Sequence, residues 1–163
     1  MILITGAASA EPPSLTLPLI CTPGEDCWPV RYVDHDPGPG GRDYRCGPET
    51  GDGHQGTDIA IRDLRAMADG VEVVAAAAGT VIGIRDGESD LSPGQRTRPA
   101  MAGRHCGNGV RLDHGGGWTS QVCHLRRGSV RVALGDRVEA GDPLGLVGLS
   151  GATSFPHLHF GVQ

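Results

Sequence analysis

The chain has 163 residues, enough for one domain with a moderate core, and its formal net charge of −5 leaves no basic face for nucleic acid. All fourteen basic residues are arginine, so chemistry that needs a side-chain amine, such as a Schiff base or a lipoyl or biotinyl attachment, is excluded. No apolar run reaches the ~18 residues of a membrane span, and 27 glycines, 12 prolines and only 4% aromatics favour short strands and tight turns over helices.

Residues 1–20 read as a leader or linker. "MILITGAASA" is apolar and ends in small residues like the remnant of an export signal, without the positive start of a complete one. Residues 21–50 are dense in Pro, Gly, Asp and Cys and read as a flap held by cysteines, with one short strand over 28–33. From Gly51 to the end the pattern is that of a compact β domain. "TDIAI" alternates as a strand, "RDLRAMA" allows one or two helical turns, and "VEVVAA" and "GTVIGIR" are strands.

Residues 86–108 form a long polar loop, of a length that is uncommon away from functional sites. Its acidic residues Asp86, Glu88 and Asp90 read as solvated. A hairpin follows over 109–124, then a strand near 129–132, two further short strands to Gly148, and the final strand "HLHFGV". Gly70, Val73, Ala75, Val81, Ile82 and Gly83 recur in kind 65 positions later as Gly135, Val138, Ala140, Leu146, Val147 and Gly148. Two similar halves wrapped into one β-sandwich or barrel would produce that pattern.

Five cysteines carry no C-x-x-C pair, which argues against a zinc ribbon. If 108–122 is a hairpin turning at Gly115–Gly117, Cys106 and Cys123 come out roughly opposite each other, where a disulfide can close. Cys21, Cys27 and Cys46 supply a second bridge and one leftover thiol. Two bridges place the chain in an oxidising compartment.

The chemistry concentrates in three stretches. In "GDGHQGTDIAI", His54 and Asp58 are four apart, and in an extended segment they share a face. His157 and His159 are two apart on the last strand. Both point one way, with Cα atoms roughly 6–7 Å apart, while Leu158 and Phe160 point into the core. Catalytic zinc takes three N or O ligands and keeps a position open. His54, Asp58 and one of the two C-terminal histidines make such a set, and spacing alone does not say which. His124 ends the strand "TSQVCHL" on the face of Val122 and can hold or give a proton near neutrality. His35, His105 and His114 read as exposed loop or turn residues.

"HQGTDIAI", "GVEVVAAAAGTVIG", "GNGVRLDHGGGWTSQVCHL" and "GDRVEAGDPLGLVGLSGATSFPHLHF" resemble, in order, the lysostaphin/LytM-type zinc endopeptidases over about residues 51–161. The resemblance implies a mainly β fold, the duplicated-hybrid-motif sandwich or barrel of short antiparallel strands with long loops. It implies Zn2+ held by His54, Asp58 and His159, with His124 and His157 as catalytic histidines. It further implies cleavage of peptide bonds in bacterial peptidoglycan, by an exported protein that is periplasmic or extracellular and expected to be a monomer. Cys123 stands where that family commonly has tyrosine, in keeping with the disulfide. A zinc D,D-carboxypeptidase and a non-catalytic peptidoglycan-binding module on the same fold are the alternatives. Such modules are expected to lack ligands, and this chain has the full set.

Overall fold

A computed structural model describes residues 11–91 and 103–163. The export-signal reading of 1–10 and the centre of the 86–108 loop lie outside the described residues. The chain folds mainly as strands: β1 (Cys27–Arg31), β2 (Thr57–Ile61), β3 (Glu72–Val74), β4 (Gly79–Arg85), β5 (Asn108–Gly115), β6 (Trp118–Leu125), β7 (Arg137–Val138), β8 (Pro143–Leu146) and β9 (His157–Val162). One short helix, α1 (Leu64–Asp69), follows β2. Its first turn is capped by the Asp63 carboxylate, which accepts from the Ala66 N–H at 2.8 Å.

Seven strands form one antiparallel sheet in the order β1-β2-β9-β6-β5-β4-β7, and β3 pairs with β8 in a second. The large sheet is open, with β1 and β7 at its edges, so the architecture is a sandwich and not a closed barrel. Leu112, Val110 and Val81 of the large sheet are buried in one cluster with Val73 of β3 and Leu144 of β8.

The 65-residue repeat has a structural counterpart. The first half contributes β3 and β4, and the second contributes β7 and β8. Each half pairs its first strand with the other half's second: Glu72 opposes Leu146, and Arg137 opposes Thr80. Exchanged pairing of this kind is what a duplicated strand pair gives when the copies wrap around each other.

Three expectations change. The segment 129–132 is not a strand, although the Arg131 N–H donates to the Leu144 carbonyl (3.0 Å). Asp86 and Asp90 are not simply solvated. Asp86 accepts from the N–H groups of Gly128 and Val130, and Asp90 from those of Arg127 and Leu149, so both staple the long loop to the body. Residues 16–20 lie against β3: Thr16 and Ile20 donate backbone N–H groups to Ala76 and Glu72, and Leu19 is buried in the core.

Both disulfide expectations correspond to bonds in the structure. Cys106 is joined to Cys123, and Cys21 to Cys27. Cys46 is the leftover thiol, exposed and in the left-handed region at φ 63°.

β9 is the element that matters most for the site. It lies between β2 and β6, and Leu158 is fully buried beneath it. Truncating a buried leucine costs about 2–5 kcal/mol, and a one-residue slip would turn both histidines into the core. Leu158 thus fixes the register that presents His157 and His159 together.

Candidate metal centre

Strand register brings the first pair of site residues together. Asp58 on β2 sits directly opposite His159 on β9, and the His159 Nδ1 to Asp58 Oδ1 distance is 2.8 Å. His54 lies off the strand, in the turn before β2, so shared strand alternation with Asp58 is not what positions it. The flap does that. The His54 Nδ1–H donates to the Tyr32 carbonyl (2.7 Å), the Asp34 N–H donates to the His54 carbonyl (2.8 Å), and the Asp34 carboxylate accepts from the Gly53 N–H (2.8 Å).

With Nδ1 carrying the proton, His54 Nε2 presents its lone pair to the site. It lies 3.1 Å from Asp58 Oδ1 and 3.1 Å from His159 Nδ1. Two imidazole nitrogens and a carboxylate oxygen therefore meet at one point. Ligand atoms about 2.0–2.1 Å from a tetrahedral zinc lie roughly 3.3 Å apart, so the spacing and chemistry of this donor set fit a zinc ion. The carbonyl partner of His54 fixes its tautomer, the usual role of an outer partner to a metal-binding histidine.

Gly56 makes the approach of His159 possible. A Cβ at this position would lie 2.6 Å from His159 Nε2 and 2.7 Å from the Phe160 carbonyl oxygen. Gly56→Ala must push the ring away or part β2 from β9. The expected result is a loss of about 10- to 100-fold in zinc affinity, as for other supports of a metal ligand. Competition with a chromogenic chelator measures it, and circular dichroism checks that the sheet persists.

His157 and His124 flank the donor cluster. Their ring centroids are 4.7 Å apart, and His157 Nε2 is 3.6 Å from Asp58 Oδ1. The His157 Nδ1–H is shared between the Phe155 carbonyl and Thr153 Oγ1, each at 3.0 Å, and the Thr153 hydroxyl itself donates to the Phe155 carbonyl. The His124 Nδ1–H donates to the Ser150 carbonyl (2.8 Å). Both rings thus turn an unprotonated Nε2 to the site.

Electrostatics hold them in that state. Burial, reinforced by His157, pushes the His124 imidazole down to about 3, against the raising effect of the Ser150 carbonyl. Burial likewise lowers His157, and the Phe155 carbonyl and Asp58 only partly offset it. Asp58 goes the other way from an isolated buried acid. Burial pushes its carboxyl up, but the hydrogen bond from His159 and the neighbouring imidazoles outweigh that and hold it below the usual carboxylate range.

His124 does not share the face of Val122, as strict alternation requires. Val122 and Leu125 are core residues, whereas Cys123 and His124 both line the groove. The reason is a β-bulge. Asn108 pairs with Leu125 and the next residue, Gly109, with Cys123, so His124 is the extra residue on β6. Its φ of 64° is left-handed, unusual for a histidine, and costs of order 1–3 kcal/mol. The structure over-determines it: the His124 N–H donates to the Cys106 carbonyl (2.8 Å), and its carbonyl accepts from the Gly148 N–H (2.9 Å). The Cys106–Cys123 disulfide locks the strand to the loop that supplies the first of these partners.

The five side chains line a groove of about 330 Å³. His105, exposed as expected, nevertheless stands on its wall, while His35 is exposed away from it. His114 is half-buried and structural, bridging the Ala78 carbonyl (2.7 Å) and Ser120 Oγ (2.8 Å). Sequence reasoning missed Gly56, Thr153 and the carbonyls of Tyr32, Phe155 and Ser150. Gly56 was the most accessible of these, standing as it does between two candidate ligands.

Solved structures with the same architecture include the catalytic domain of a mutant of the prophage-encoded M23 protein EnpA from Enterococcus faecalis. It is 21% identical, with a TM-score of 0.58 over 86% of this chain and 82% of that one. The catalytic domain of lysostaphin from Staphylococcus simulans is 23% identical, with a TM-score of 0.50 over 82% and 76%. A structure of the SpoIIIAH and SpoIIQ complex matches at 18% identity and a TM-score of 0.61, over 91% of each chain. At these identities the likeness is one of fold. No curated protein matches the chain. The sequence pattern of peptidase family M23 matches residues 52–163, the stretch that carries all five site residues. With that pattern spanning more than half of its length, the chain belongs to peptidase family M23.

Proposed function

We propose that the protein is a zinc-dependent metalloendopeptidase that hydrolyses peptide bonds in bacterial peptidoglycan. His54, Asp58 and His159 are its metal ligands, and His124 and His157 its acid–base pair. The observation that carries the reading is the convergence of His54 Nε2, Asp58 Oδ1 and His159 Nδ1 within 2.8–3.1 Å of one another, beside two buried neutral imidazoles.

Bound zinc would supply a Lewis acid for the scissile carbonyl and lower the pKa of a water to about 7. The protein's own groups do the rest. His157 is neutral and offers Nε2, so it takes the proton of the attacking water. His157, carrying that proton on Nε2, then donates to the developing oxyanion and to the leaving amine; His124, whose Nε2 is likewise unprotonated, serves as a second acceptor and becomes a donor only after it has taken up a proton there. The Phe155 and Ser150 carbonyls hold each ring in the tautomer this requires. Among the described residues no glutamate lines the groove, so the base role falls on histidine. Two disulfides suit an oxidising compartment, in keeping with an exported protein that acts as a monomer on the cell wall.

The test is metal analysis of the purified chain, followed by mass spectrometry of peptidoglycan treated with it. One zinc per chain and the conversion of cross-linked dimers to monomers are expected. A chelator should abolish the conversion, and added zinc should restore it. Free alanine without loss of cross-links would instead indicate a carboxypeptidase, and zinc without any product a binding module.

A further inference from the structure

The groove carries a charge pattern that hydrolysis alone does not require. Among the described residues, Asp58 is its one carboxylate side chain, and that group is turned onto the ligand imidazoles. Two guanidinium groups, those of Arg31 and Arg111, also line it. Both residues are exposed, and among the described residues neither makes an ion pair. Arg111 Nη2 donates to Thr119 Oγ1 at 3.3 Å, which steadies it along β5.

Strand register places both on the catalytic face. Arg31, Asp58, His159 and Cys123 form one row across β1, β2, β9 and β6. Arg111, Gln121 and Gly161 form the neighbouring row on the same face. Arg31 reaches its place through a second bulge. Pro29 pairs with Ile59 and Arg31 with Asp58, which leaves Val30 as the extra residue. Regular pairing would have set Val30 opposite Asp58. Pro29 lacks an N–H and is tolerated because β1 is an edge strand. The two arginines therefore stand on opposite sides of the donor cluster, on β1 and on β5.

A guanidinium that faces a substrate groove with no protein carboxylate beside it is free to pair with one from the ligand, and its planar fork matches a carboxylate in two parallel hydrogen bonds. We infer that Arg31 and Arg111 select a peptide substrate bearing carboxylates on either side of the scissile bond. This rests on the hydrolase reading and adds to it a substrate class.

Two probes test it on the zinc-loaded chain: a synthetic cross-linked stem peptide with free carboxylates, and the same peptide with those groups converted to carboxamides. The wild type should prefer the carboxylate form by about tenfold or more in kcat/KM, chiefly through KM. Arg31→Gln and Arg111→Gln should each narrow that ratio at unchanged zinc content, and Arg31→Lys should keep part of it. Equal kcat/KM for the two peptides on the wild type overturns the inference. If zinc binds but neither peptide is cut, the hydrolase reading fails by itself. Calorimetric binding of the same two peptides then decides the matter: tighter binding of the carboxylate form, lost in Arg31→Gln, upholds the inference, and equal binding overturns it.

Discussion

His159→Ala is expected to leave the purified chain without stoichiometric zinc and without measurable hydrolysis of cell walls. His159 is the residue on which the donor cluster is assembled: its Nδ1 is 2.8 Å from Asp58 Oδ1 and 3.1 Å from His54 Nε2. Removing it leaves two donors, of which His54 depends on a flap and a turn for its position. Two donors do not make a catalytic zinc site. The fold should survive, because His159 is only half-buried and the core side of β9 is held by Leu158. Atomic absorption on the desalted variant gives the answer. A variant that still bound one zinc per chain would falsify the ligand assignment.

The second large effect is expected from His124→Ala, and it separates chemistry from binding. The variant should keep its zinc, since the His124 Nδ1–H bonds a backbone carbonyl and its Nε2 faces the groove without joining the three-donor cluster. Its kcat should fall by about 10²–10⁴-fold, the usual worth of a positioned acid–base group. Wild-type turnover would remove His124 from the mechanism.

The metal-free chain offers an independent readout of the same residue. Folded His124 stays neutral down to about pH 3, whereas an unfolded histidine takes up a proton near pH 6.5. Between those values the unfolded chain binds more protons, so stability rises with pH and is lost as pH falls from about 6.5 toward 3. His124→Gln should remove this share of the acid loss. Denaturant midpoints measured across that range would show it, and an unchanged slope would count against a buried neutral ring.

Much of the site was legible before the fold. The "HLH" spacing on a short strand predicted two histidines on one face, and β9 presents them so. The hairpin spacing predicted the bond between Cys106 and Cys123. These readings succeed because side-chain alternation and hairpin symmetry are properties of the local chain, carried by residue type and spacing. The acidic residues of the long loop were read less well. Asp86 and Asp90 look solvated from composition because a carboxylate's partners here are backbone N–H groups, which no residue type announces.

The sequence by itself determined which atoms are available: the imidazoles of His54, His124, His157 and His159, the carboxylate of Asp58, and fourteen arginines with no lysine. Tertiary structure decided how they are used. The bulge at His124 turns it out of the core-facing alternation, and the bulge before Arg31 sets a guanidinium where a valine would have stood. The carbonyls of Tyr32, Phe155 and Ser150 choose the nitrogen that each ring presents. A bulge exists only relative to the register of a partner strand, and a carbonyl is the same in every residue, so both became visible only when distant segments met.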